Sequence, residues 1–590
     1  MTVSADPCRR GARGALRLAG LGLVGLLSAP VLAQSGAPVP LFPQTPPATM
    51  EPAPQDAPAA DPANPGADLA PDATDVAPGA VTAPPARSPS GVMVEELRAP
   101  DPEMAGTLDA ENGGLPADLW AGLPRPELEA LLAGIPAGLT SPAMRDIAHR
   151  LLLTVADPPP GDGAARSLVA LRLEALARIG DLAGADALLD RTSRPLEDEA
   201  AAQAWVELQY LAGTPETACH RMPDLLGRFN HPVWQKWQMV CQIGAGNPDL
   251  ALLGIDLLRE QGEKDDIFFR LAEAASSGQT APVKGVAAPT PIQLAMILAS
   301  GRVPQADVKV EGPGPLAALS RVEALPLPLR LAAGERAAAL GGLNPTGLDR
   351  LYEAVTAPDP KGLTLAAARK ASPLLRAQFL RALKAEPSPA GRAGLFKGAM
   401  LATSTGQQGG AYGKLLLDQI ADFRLTVGFA SVAPLVARLH ILQGQEDSAR
   451  AWLGLAQEDF NAAKDEGAFA RLWPVAAAAG LVKEASFDQG RWVRELGGDN
   501  ARDLADQVLI ILSAVDGVVE PLPPHADGSP ATKPKGAVLL DALALLGPEG
   551  PAGATAMDIA AIVTDLRRAG LDPAARRLAV EMVAHLLRPV

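Results

Sequence analysis

Residues 180–185 read GDLAGA, residues 213–218 read GTPETA and residues 246–251 read GNPDLA. The three glycines, Gly180, Gly213 and Gly246, stand 33 positions apart, and each is followed five positions later by an alanine: Ala185, Ala218 and Ala251. A fixed period in the thirties is the signature of stacked two-helix units. Upstream of the first turn, Leu173, Leu176, Ala177 and Gly180 fall at i, i+3, i+4 and i+7, with Arg172, Glu174 and Arg178 off that stripe. This predicts an amphipathic helix. Gly180-Asp181 breaks it, Ala185, Leu188 and Leu189 open the next apolar face, and Pro195 ends the unit. Thr214-Pro215 and Asn247-Pro248 suit an N-cap followed by the first helical position.

These residues resemble the tetratricopeptide-like family, which pairs two helices per repeat of about 34 residues. Its inter-helix turn often reads Gly-Asp or Gly-Asn with a small alanine five residues on. The alanine lets two helices approach, and a large apolar residue four further on packs beside it. Leu189, Met222 and Ile255 occupy that later position. The glycine–alanine pair returns at Gly444/Ala449 with Leu453, at Gly480/Ala485 and at Gly570/Ala575. The first helix mostly lacks the family's Trp, Leu-Gly and Tyr positions, and Gln489 stands where an apolar residue belongs. Regular spacing covers about residues 165–265. The resemblance implies an all-α helix-pair solenoid, a TPR-like superhelix, without a transferable binding code.

Ahead of that body lie two segments of different character. Arg9, Arg10, Arg13 and Arg17 precede the apolar stretch Leu18–Leu27, and Val31-Leu32-Ala33 presents small residues at −3 and −1. This predicts a signal peptide over 1–33, cleaved between Ala33 and Gln34, and hence a periplasmic protein. Ten apolar residues rise about 15 Å as a helix, half of a bilayer core of roughly 30 Å. No later segment is long and apolar enough to span a membrane. Residues 34–102 carry 17 prolines and nine acidic residues against two arginines. Such a stretch buries too little apolar surface to offset its ordering entropy. Residues 34–114 are therefore expected to form a disordered, Pro/Ala-rich acidic tether. The body divides into an N-terminal array over 115–275, a middle helical region over 276–400 and a C-terminal array over 401–590. A single continuous superhelix is equally compatible. Loops are expected at 276–291, 311–315 and 520–536.

Composition narrows the function. Hydrophobic residues make up 48% of the 590, with only 4% aromatic, so alanine and leucine carry the core. That mix favours helices over sheet. A net charge of −15 supplies no basic face for nucleic acid. No Gly-x-Ser-x-Gly elbow occurs, and six histidines leave few bases to choose from.

Three clusters carry residues of chemical interest. Only Cys219 and Cys241 remain after cleavage, and a disulfide is the simplest reading in an exported chain. A zinc site of Cys219, His220, His231 and Cys241 is the alternative, with gaps that do not match a short knuckle. Trp205, Trp234 and Trp237 belong to an aromatic-rich stretch, Trp205 to Phe269, that is either a peptide or glycan platform or core packing. No catalytic, cofactor or metal motif stands out, which leaves no cofactor expected. The expected function is a non-catalytic scaffold or adaptor for protein partners in the bacterial cell envelope. The alternative is a cell-wall lytic enzyme, because some lytic transglycosylases resemble this plan. Their Glu-Ser acid and downstream Gly-Leu-Met-Gln are missing; Glu484-Ala485-Ser486 is not a match.

Overall fold

All six turn glycines lie in the left-handed region in the computed structural model, with φ between 70° and 85°. At each, the glycine N–H bonds the carbonyl three residues back. The next N–H bonds the carbonyl five back, as in Asp181 N to Leu176 O, Thr214 N to Gln209 O and Asn247 N to Gln242 O. This closes the last turn of one helix and satisfies carbonyls that would otherwise be orphaned. The following helix starts at once. Asp181 accepts from Gly184 N at 2.9 Å, whereas Thr214 and Asn247 precede helices that open on Pro215 and Pro248. Ala185, Ala218, Ala251, Ala449 and Ala575 are all buried, as are Leu189, Met222, Ile255 and Leu453.

The structure describes residues 102–159, 167–192, 196–279, 283–300, 309–461, 466–482, 489–496, 498–516 and 533–588. The expected signal peptide, its Ala33–Gln34 cleavage site, most of the tether and Ala485 lie outside them. Among the described residues the chain is all-helical, with no strand. The first ten helices are α1 (Arg125–Ala133), α2 (Pro142–Leu153), α3 (Leu168–Ile179), α4 (Leu182–Arg191), α5 (Glu199–Ala212), α6 (Pro215–Arg228), α7 (Pro232–Gly244), α8 (Pro248–Glu260), α9 (Asp266–Ser276) and α10 (Pro291–Ala299). The middle of the chain holds α11 (Pro313–Ser320), α12 (Leu327–Ala339), α13 (Pro345–Glu353), α14 (Leu365–Ala368), α15 (Pro373–Ala385) and α16 (Pro389–Leu401). The last ten are α17 (Thr405–Gly409), α18 (Ala411–Gln419), α19 (Ala433–Leu442), α20 (Glu446–Asn461), α21 (Glu466–Ala478), α22 (Gln489–Leu496), α23 (Ala501–Asp516), α24 (Lys535–Leu546), α25 (Ala556–Arg568) and α26 (Asp572–Leu586). Proline occupies the first or second position of many of these, where its missing N–H costs nothing.

From α3 to α10 each helix packs on the next in sequence, and α3 and α5, α7 and α9, and α7 and α10 also touch. The C-terminal end departs from nearest-neighbour packing. α24 returns to α1 and α2, and α26 packs on α2, α17, α19, α21, α23 and α25. Leu578, Ala579 and Val583 give α26 an apolar face that is fully buried. Arg438 of α19 is buried beside it and donates to the carbonyls of Ala584 at 2.6 Å and Leu587 at 3.0 Å. Burial, aided by Arg471 and Arg588, pushes its guanidinium down to about 9.

Three expectations about boundaries are corrected. Residues 102–114 are packed on the body ahead of residue 115. Glu103 pairs with Arg125 at 2.6 Å and accepts from Leu168 N at the start of α3. Thr107 N bonds Leu153 O at 2.8 Å. Residues 311–315 are not wholly a loop, because Gly312, at φ 85°, turns the chain and Pro313 opens α11. Residues 535 and 536 belong to α24, and Gly536 N bonds Leu119 O at 3.0 Å.

Candidate partner-binding cleft

A cavity of about 690 Å³ opens between α5, α6, α7, α10 and α11. Its floor is the join between two repeats. Cys219 of α6 and Cys241 of α7 sit with sulfurs at bonding distance, 2.05 Å, and Cα atoms 5.5 Å apart. The Tyr210 hydroxyl lies 3.2 Å from one sulfur and 3.4 Å from the other. Its ring packs on Trp237 at a centroid distance of 4.6 Å. Burial, with Glu216 nearby, raises the Tyr210 phenol far above its ordinary value, so it stays neutral.

The facing wall comes from α10, where Pro291, Leu294, Ala295 and Leu298 line the opening. That helix starts with a capping box. Gln293 N bonds Thr290 Oγ1 at 3.4 Å, and Thr290 N bonds Gln293 Oε1 at 3.1 Å. Arg321, just after α11, closes one end and donates to Leu211 O at 2.7 Å, satisfying the C-terminus of α5. At the other end Gly244 and Ala245 border the cleft where α7 stops. A Cβ at Gly244 would meet no atom within 4 Å. The lining is thus mainly aliphatic, with Tyr210, Glu216, His220 and Arg321 as its polar groups. Such a surface suits an apolar segment with a few oriented polar contacts.

The structure redistributes the residues singled out from sequence. Trp205, Trp234 and Trp237 do not form a surface. Their exposure is 7%, 0% and 0%, and they pack in the core between repeats. Trp234 is stacked on Phe229 at 5.2 Å and donates to Glu199 at 2.8 Å. The platform reading fails because the i, i+3 pair faces inward along the apolar stripe of α7. The zinc alternative also fails. Both cysteines are tied to each other, and His231 is the N-cap of α7, accepting from Val233 N at 3.2 Å. No cluster of metal-ligating side chains exists among the described residues.

Sequence reasoning missed the α10 wall and Arg321. The Thr290-Pro291-Ile292-Gln293 cap was the legible signal for α10. Nothing local marks Arg321. It also missed Glu581, a half-buried carboxyl on α26 that joins α26 to the N-terminus of α2. Glu581 accepts from Ser141 Oγ and from Ala143 N, the latter at 2.6 Å. Burial pushes it up to about 7, against the lowering effect of those two donors, Arg145 and Arg577.

No protein-family model, curated protein or solved structure matches this chain. The likeness to tetratricopeptide-like repeats therefore rests on the turn residues alone.

Proposed function

We propose that this chain is an exported, non-catalytic scaffold that holds an apolar segment of a protein partner in the cell envelope. In this reading residues 1–33 direct export to the periplasm and residues following Gln34 act as a spacer. The helix pairs stack as a solenoid, and its last helices fold back on its first. The observation that carries the reading is the 690 Å³ aliphatic cleft. It lies where the α5–α6 and α7–α8 pairs meet, in an array of the kind that binds partners through extended surfaces. The disulfide across its floor supports a partner site in an oxidising compartment. No helix among the described residues is long and apolar enough to cross a membrane.

The test is affinity isolation of the tagged full chain from native envelopes, beside Gly244→Trp. A Cβ at position 244 meets no atom within 4 Å, so the indole is introduced at the border of the cleft from a backbone position that has room for a side chain. Recovery of one stable complex by the wild type and its loss from the variant is the expected result. Equal recovery by both would remove the cleft from the function. Release of muropeptides from purified cell wall by the isolated chain would establish the lytic reading instead.

A further inference from the structure

A second cavity, about 440 Å³, is bounded by α16, α19, α21 and the ends of α22 and α26. Its walls are largely aliphatic, with Leu401, Pro434, Leu435 and Leu472 among them. Its charged lining is of one sign: Lys397 of α16, Arg438 of α19 and Arg471 of α21. Among the described residues no carboxylate lines it, and none pairs with any of these three cations. In a chain of net charge −15, such a place stands out. Carbonyls hold the two arginines. Arg438, 3% exposed, donates to Leu587 O at 3.0 Å. Arg471 donates to Arg588 O at 3.2 Å and to Leu496 O at 3.3 Å. Leu587 O and Arg588 O belong to consecutive residues, so the two guanidiniums converge on one corner of the cavity. Carbonyls orient a guanidinium but bring no net charge to offset it. Burial, and then Arg471 and Arg588, lower the proton affinity of Arg438, and no carboxylate raises it. Positive charge of one sign between low-dielectric walls focuses a field that attracts anions.

We propose that this cavity binds a small anionic amphiphile: an oxyanion headgroup, carboxylate or phosphate, on an aliphatic chain. The headgroup is held by Lys397 and Arg471, and the chain lies along the leucines. A guanidinium presents five N–H donors, and carbonyls take two of those of Arg471. The remainder suit an oxyanion, which accepts charge-assisted bonds. The volume falls within the range of about 300–1,000 Å³ usual for small-molecule sites. Other occupants match the lining less well. A bare inorganic anion leaves the aliphatic wall wet, and a neutral apolar molecule leaves the cations uncompensated. A nucleotide lacks a ring to stack on, because no aromatic side chain lines the cavity among the described residues. The site shares no lining residue with the cleft floored by the disulfide, so it stands apart from that reading.

Isothermal titration of the full chain with octanoate, octyl phosphate, octanol and inorganic phosphate tests the proposal. Octanoate or octyl phosphate should bind saturably at one site, with a Kd below about 1 mM. The tighter of the two identifies the headgroup, and either result supports the site. Octanol and inorganic phosphate should bind far more weakly. From hexanoate to decanoate, or along the matching alkyl phosphates, affinity should rise by up to about fourfold per methylene. Lys397→Glu should weaken binding on the order of tenfold or more, and Lys397→Met by less, with circular dichroism unchanged in both. Lys361→Glu, an exposed lysine outside the cavity, should bind like the wild type. No saturable binding of either octyl anion at about 5 mM would overturn the proposal. Octanol binding as tightly as the anions, or inorganic phosphate binding as tightly as octyl phosphate, would overturn it as well. So would binding that is indifferent to both Lys397 variants, or that is abolished by Gly244→Trp, which would place the amphiphile in the cleft.

Discussion

Replacing Cys219 and Cys241 together by alanine should destabilise the chain by about 3 kcal/mol. The disulfide joins residues 22 positions apart, across most of α6, the turn and most of α7. In the chain-entropy model a loop of that size removes about 11 cal/mol/K from the unfolded ensemble, or about 3 kcal/mol at 25 °C. Loss of the sulfurs adds a packing term, because the Tyr210 hydroxyl rests against both. The two effects separate experimentally. Urea unfolding of the wild type with and without a dithiol reductant reports the crosslink alone. Comparison of the reduced wild type with the double variant reports the lost sulfurs. The expected pattern is a large drop on reduction and a smaller one from reduced wild type to variant. Thiol titration of the denatured, unreduced protein should find neither cysteine free. Unfolding midpoints that coincide with and without reductant would refute the argument, as would two titratable thiols.

Two further perturbations probe buried charge. Glu335 and Arg376 are both buried and bond at 2.9 Å through Nε, with the Tyr352 hydroxyl donating to Glu335 at 2.6 Å. Glu335→Gln strands the Arg376 charge and should cost about 3–5 kcal/mol in chemical denaturation; a loss under about 1 kcal/mol would show that the charge finds another partner. Glu581 binds its proton more tightly folded, at about 7, than unfolded, at about 4.3. The folded state therefore holds more protons between those values, and its stability falls as pH rises through that window. Thermal melts at pH 5 and pH 8 should show a smaller pH-dependent drop for Glu581→Gln than for the wild type. Equal drops would mean that the carboxyl is already ionised at pH 5.

The local chemistry of this fold is legible in the sequence, and its closure is not. A glycine that must adopt positive φ, a following N-cap or proline, and an alanine at a helix crossing are each dictated by neighbours within a few residues. Hence Gly180, Gly213, Gly246, Gly444, Gly480 and Gly570 can be read one by one. The return of α24 and α26 to α1 and α2 depends on pairs such as Ser141 and Glu581, 440 positions apart. No period marks them. Buried arginines mislead for a related reason. Arg172 is off the apolar stripe by pattern but lies in the core, donating to the carbonyls of Leu152 at 2.6 Å and Thr154 at 3.1 Å. Its function is to satisfy the end of α2, which only the packed structure reveals. The tryptophans err in the opposite sense. A pair three apart marks one helix face, and sequence alone does not say whether that face looks in or out. The cleft inherits both difficulties: its disulfide floor follows from cysteine counting, whereas its α10 wall requires the chain to come back from residue 291.

Site-specific photocrosslinking in native envelopes tests the proposed partner site at the cleft most directly. A photoreactive residue at position 244 lies at the border of the cleft, and one at position 224 lies on the exposed polar face of α6. The account predicts a discrete adduct with another protein from position 244 and none from position 224. No adduct at position 244, or the same adducts from both positions, would contradict it.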